Sequence, residues 1–164
     1  SVLGRAVSAA CVSPILTYGA RALADCKAGK STPALEQVAL ASIVSTGLVS
    51  LLVEEEDNGA AAHALFYGLT LLPHIEEQFL HGDVVAYGVL VQLALLGHPD
   101  LGKIQAFFCG LGCPTRAADL GLTLDRQALA PVLASTLAQP DLRHYPHPLT
   151  PDSLWGALLA VDAL

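Results

Sequence analysis

A chain of 164 residues with 53% hydrophobic and only 14% charged residues is long enough for a domain with a real core, and richer in apolar residues than an average soluble domain. Fifteen acidic against eight basic residues, a net charge of −7, cannot build the basic patch that nucleic-acid binding requires. The longest uncharged stretches, Val38–Val53 and Val84–Pro99, fall short of the roughly 20 residues of a membrane span, so buried helices are expected there.

The surplus of apolar side chains leaves two readings open: a buried helical bundle, or a surface hidden against a partner. The first residue is Ser1 rather than Met, and the segment 2–10 lacks the layout of a secretory signal. The expectation is a fragment or a processed form of a cytoplasmic protein.

Val2 to about Ala24 reads as helix, kinked or divided by Pro14. A loop through Gly29 follows, and Thr32 with Pro33 starts the next helix. Leu48–Val53 passes equally for a strand or a continued helix, because short apolar runs do not separate the two. The acidic run Glu54–Asp57 reads as a solvated loop or a first turn. Gly59 to Tyr67 is helical, and a connector through Pro73 holds a short turn near Ile75–Phe79. His81 opens a long helix that Gly97 and Pro99 stop. Another helix runs from Asp100 to Cys109, and Gly110, Gly112 and Pro114 end it. Thr115–Leu120 makes a short turn, and Asp125 caps a helix to about Ala138. A proline-rich loop spans Gln139–Leu149, and Thr150 with Pro151 begins the last helix. No strand alternation of any length is visible. The chain is expected to be a single all-α domain over residues 1–164, a bundle of about seven to nine helices of ordinary length.

His63 follows the small-residue run Gly59–Ala62, and His81 stands at a helix start. Neutral imidazole is the commonest metal ligand, and zinc takes it readily. Two histidines alone do not define a site. A helix histidine bonded to a backbone carbonyl is the ordinary alternative for each.

The pieces Ala61-Ala62-His63-Ala64-Leu65, Gly68-Leu69-Thr70 and His81-Gly82-Asp83-Val84-Val85-Ala86-Tyr87-Gly88 together resemble the metal-binding signature of the iron-containing alcohol dehydrogenase superfamily, in particular its glycerol dehydrogenase branch. Thr32–Val38 and Thr150–Asp162 extend the likeness, which covers nearly the whole chain. The resemblance implies the C-terminal helical domain of a dehydroquinate synthase-like fold, with His63 and His81 as ligands of zinc or iron. It implies a metal acting as Lewis acid on the hydroxyl of a small alcohol or polyol while hydride passes to NAD. A third ligand, an aspartate, and the nucleotide-binding α/β domain belong to a region before residue 1. The metal is then expected to bind weakly to this chain, and NAD only with that domain. No catalytic or cofactor-binding residue is assigned within residues 1–164, and a homo-oligomer is left open.

Two departures from the pattern touch the metal cleft. Phe66 stands where the family usually carries a second histidine, and Leu51–Asn58 is longer than the usual approach to the first ligand. The rival reading is therefore a non-catalytic helical interaction module, or a degenerate relative.

The remaining candidates are weaker. Gly110-Leu-Gly112 lacks the strand and third glycine of a phosphate-binding loop. Cys109 and Cys113 form one close pair where a zinc knuckle needs two, so all four cysteines, with Cys11 and Cys26, read as buried free thiols. His144 and His147 lie in the proline-rich loop. His74 and His98 adjoin turns and read as structural, and Trp155 reads as an anchor of the last helix.

Overall fold

The computed structural model describes residues 2–52, 60–143 and 145–164. Among them it is all-α, with no strand. The chain divides into two compact units, Ser1–Asn58 and Gly59–Leu164.

The first unit holds α1 (Val2–Lys27), α2 (Pro33–Leu40) and α3 (Thr46–Leu52). A π-helical turn, Ala41–Ser45, joins α2 to α3 in one rod, and the Thr46 hydroxyl donates to the Ala41 carbonyl across it (3.0 Å). The stretch left between strand and helix is thus helical as far as Leu52. Helix α1 runs through Pro14 without division. A proline removes one backbone bond, and a 26-residue helix has enough others on either side.

The α1–α2 turn is fixed by Asp25. Its carboxylate accepts from Arg21 Nε and from the Thr32 hydroxyl, both at 2.8 Å. Those two bonds, Arg21 first, hold the Asp25 carboxyl below the ordinary carboxylate range. The Thr32 oxygen also accepts from the Leu35 N–H (3.3 Å), the predicted helix cap. Gly29 makes the turn at φ +64°, a conformation that suits glycine.

Residues 6–27 and 33–52 form helices of 22 and 20 residues with mean hydropathy 1.2 and 1.6, long and apolar enough to cross a membrane. Counting only uncharged runs hid this, because each helix keeps its apolar character around a few charges such as Arg21, Asp25 and Glu36.

The second unit packs α4 (Ala61–Leu69), α5 (Pro73–Gln78), α6 (His81–Leu95), α7 (Leu101–Leu111), α8 (Ala130–Leu137) and α9 (Pro151–Asp162). Helix α6 is central. It lies against α4, α7 and α9, and α4 lies also against α8. Leu65, Leu69, Ile75, Val84, Tyr87 and Leu90 are at most 2% exposed, so α4 and α6 bury side chains into one core.

Capping follows the sequence at three places. Thr150 and Ser153 cap each other at α9, Gly97 (φ +58°) follows the end of α6, and Gly112 (φ +82°) ends α7. At α8 the start differs. Asp125 accepts from the N–H groups of Gln127 and Ala128, but residues 126–129 form turns and the helix begins at Ala130. The aspartate closes its own turn before the helix takes over.

Several polar side chains of this unit are tied to backbone. Gln105 donates to the carbonyls of Thr115 (3.2 Å) and Val161 (3.1 Å), and Asp162 accepts from the Ala117 N–H (2.8 Å). Asp119 accepts from the N–H groups of Thr115 and Arg116, which hold its carboxyl below the ordinary range. Of Gly110-Leu-Gly112, Gly110 lies inside α7 and Gly112 ends it as a helix stop.

Candidate metal centre

The position of His63 is set by how α4 begins. Ala60 supplies no side-chain cap, so the first N–H groups of α4 need other partners. One comes from α6: the Gln92 side-chain oxygen accepts from the Ala62 N–H at 3.1 Å. Close approach of the two helices comes from Gly88. A methyl group there would lie 2.6 Å from the Ala62 carbonyl oxygen, inside the range real side chains show. Gly68 does the same toward α8, where a methyl would lie 2.8 Å from the Val132 carbonyl oxygen.

Gln92 and Gly88 are four residues apart on α6, and His81 lies seven before Gly88. At 3.6 residues per turn these three share one face, the face turned to α4. The contact that caps α4 therefore also brings His81 toward His63.

The two imidazoles meet. Their ring centroids are 5.7 Å apart with planes tilted by 36°. His63 is half-buried and His81 is exposed at the start of α6. The Nδ1 atom of His63 is buried and has no hydrogen-bond partner among the described residues. Phe66, one turn after His63, sets its ring 4.3 Å from that of His81 at an interplanar angle of 73°. The Tyr67 ring also lies against Phe66 (5.3 Å). Among the described residues no third His, Cys, Asp or Glu joins the pair.

The donor set fits a divalent metal as far as it goes. Zinc–imidazole bonds are about 2.0–2.1 Å, so one nitrogen of each ring would have to reach the same ion. A buried ring nitrogen without a protein partner is what a ligand position leaves in the bare protein, since buried polar atoms otherwise find partners.

The other candidates separate from this pair. The His74 ring nitrogen Nε2 is 3.1 Å from the Leu120 carbonyl, and His98 Nδ1 accepts from the Asp100 N–H, so both serve turns as expected. His147 is exposed and lines a small cavity with Arg143 and Tyr145. His144 and the run Glu54–Asp57 lie outside the described residues. All four cysteines are free, but none is buried: Cys26 and Cys109 are exposed, Cys11 and Cys113 partly covered. The Cys113 thiol is pushed up by burial and by the Asp83 carboxylate. Tyr87, inside the signature stretch, is a core residue. Burial first, then the charges of Asp162 and Asp119, raises its hydroxyl and keeps it protonated.

Spacing alone did not single out Gln92, Gly88 or the ring contact of Phe66. A signal for the first was present: Gln92 is the one amide in the apolar body of α6, at a helical offset from His81.

No family model matches the chain. Known proteins do. Hydroxycarboxylate dehydrogenase A of Escherichia coli is 39% identical over 152 residues, 91% of this chain and 42% of that protein. Glycerol dehydrogenase of Pseudomonas putida is 33% identical over 159 residues, 94% of this chain and 42% of that protein. The solved glycerol dehydrogenase of Schizosaccharomyces pombe superposes with a TM-score of 0.85 at 30% identity, over 99% of this chain and 42% of that one. The chain thus spans about two fifths of the length of the relatives it matches. In sequence and in fold alike, it matches the C-terminal helical domain of the glycerol dehydrogenases.

Proposed function

We propose that His63 and His81 are two ligands of a divalent metal, zinc or iron, in an NAD-dependent dehydrogenase of a small alcohol or polyol. One observation carries the reading: two histidines on different helices meet at 5.7 Å, and one of them keeps a buried ring nitrogen without a protein partner. The names of the relatives, dehydrogenases of glycerol and of hydroxycarboxylates, support the reaction class.

A divalent metal at this place would supply a Lewis acid for an alcohol oxygen. The chain's own part is to hold two neutral imidazoles at fixed separation. Gln92, Gly88 and the small residue Ala62 do this by locking α4 on α6. With two ligands the site is incomplete and binding weak, because ligand count governs affinity. The third ligand and the NAD site belong, on this reading, to the remainder of a longer protein. A cytoplasmic setting, with no nucleic acid or membrane as partner, goes with the same reading.

The rival, a non-catalytic interaction module, draws on the apolar side chains the first unit exposes, among them Ile43 (74%) and Leu51 (82%). Calorimetric zinc titration separates the two. The dehydrogenase reading expects weak zinc binding lost in both His63→Ala and His81→Ala, and no reduction of NAD by glycerol in this chain alone. Zinc affinity that neither substitution changes would remove the metal site. Steady turnover lost in His81→Ala would show that the chain needs no further domain.

A further inference from the structure

As a metal ligand, His81 needs its ring held in one orientation. A metal-bound histidine ordinarily gives its second ring N–H to a carboxylate, a carbonyl or a water, and that bond fixes the ring plane. Among the described residues no hydrogen bond holds the His81 imidazole. It stands exposed at the first position of α6, where Leu80 before it offers no side-chain cap. A histidine so placed samples several rotamers unless packing restricts it.

The packing is there. The Phe66 ring lies 4.3 Å from the imidazole, nearly perpendicular to it, a geometry in which the edge of one ring meets the face of the other. Phe66 is itself restrained. It is partly buried, rests against the core of the second unit, and meets Tyr67 at 5.3 Å. It also sits three residues after His63, so on a helix it covers the same face as the first imidazole. One aromatic ring therefore stands against the His81 imidazole, from an element that Gln92 and Gly88 already fix against α6.

We infer that Phe66 is a positioning residue for the metal site: its ring holds the His81 imidazole in the orientation that converges on His63, in place of the usual hydrogen bond. The inference rests on the proposed ligand pair. It gives a use to an apolar ring beside the ligand pair. An apolar ring there donates nothing to the metal, but restricts the ligand beside it.

The test uses the whole chain and zinc alone as the probe, with helicity checked by circular dichroism. Three substitutions divide the effects. Phe66→Leu keeps an apolar group of similar bulk without an aromatic edge, Phe66→Tyr keeps the ring, and Phe66→Ala removes both. The imidazole resonances of His81, assigned by the His81→Ala variant, are followed in the metal-free chain. Loss of an orienting partner of a ligand typically costs roughly 10- to 100-fold in metal affinity, and the lower end is expected for Phe66→Leu and Phe66→Ala. Phe66→Tyr should restore wild-type affinity. The His81 resonances should move in the Leu and Ala variants and stay near their places in Tyr. If Ala disturbs the helix signal, Leu against Tyr decides. Zinc affinity that falls in His63→Ala and His81→Ala but is unchanged in Phe66→Leu, with unmoved His81 resonances, would overturn this inference alone. Affinity indifferent to both histidines would overturn the ligand pair and this inference with it.

Discussion

The two units carry apolar residues to different ends. In the second, Leu65, Leu69, Leu90 and Val161 close on one another and are almost wholly covered. In the first, Val12, Leu16, Leu40, Ile43, Val44 and Leu48 are exposed, and among the described residues the apolar ones buried there are the small Ala22 and Ala41. Both regions look alike by composition. The difference lies in the number of helices available to cover a face: α6 has neighbours on several sides, while α1 to α3 form a single layer. Apolar content becomes a core only where a further layer closes it.

The largest effect that could break this contrast is a truncation inside the second unit. Leu65 is 1% exposed, on α4 two residues after His63. Leu65→Ala should cost about 2–5 kcal/mol, because it removes transfer energy and leaves a cavity. Denaturant unfolding followed by circular dichroism measures it. A loss below about 0.5 kcal/mol, the range of ordinary surface changes, would mean the second unit is no better packed than the first.

Gly88→Ala comes next and sharpens the contrast at the site itself. The added methyl would lie 2.6 Å from the Ala62 carbonyl oxygen, so α4 and α6 must separate. Overpacking of this kind costs about 1–3 kcal/mol. The same separation stretches the Gln92–Ala62 bond and moves His63 from His81. Zinc binding should therefore fall with stability, whereas Leu65→Ala should leave zinc binding largely intact at temperatures where the chain stays folded. Calorimetry on both variants distinguishes site geometry from general softening. Unchanged zinc affinity in Gly88→Ala would detach the helix contact from the site.

How much of this was legible in the sequence differs between local and distant relations. Thr32 with Pro33, Thr150 with Pro151, and Gly97 announce helix ends through chemistry confined to a few residues, and the structure places caps and stops there. Division at Pro14 did not occur and Asp125 did not open the helix, each for a local reason. A proline's missing bond does not end a long helix, and an aspartate that bonds the next N–H groups closes a turn as readily as it opens a helix. The pairing of His63 with His81 was not available from spacing. It came from the likeness to glycerol dehydrogenases, because nothing in either histidine's neighbourhood specifies a partner on another helix. Gln92 was invisible as a cap for the same reason, since its partner Ala62 is 30 residues away. Hydropathy could not foretell that the first unit's apolar faces stay exposed, because exposure depends on how many layers stack and not on how apolar each one is.

The smallest effect bears on that last point. Ile43 lies in the π-helical turn between α2 and α3 and is 74% exposed. Isoleucine and serine have similar intrinsic helix preference, so Ile43→Ser changes little in the backbone. It also removes few contacts, because an exposed side chain stays hydrated in the folded chain and gains little from burial. Stability should therefore stay within about 0.5 kcal/mol of the parent, the range of surface substitutions away from caps and cores. The matched control is Leu90→Ser on α6, where the side chain is fully covered and the hydroxyl would enter the core without a partner. Denaturant midpoints of the two variants, measured side by side, set the first unit against the second with one kind of substitution. If Ile43→Ser destabilised the chain as much as Leu90→Ser, Ile43 would have to be covered in solution, and the single-layer description of the first unit would fail.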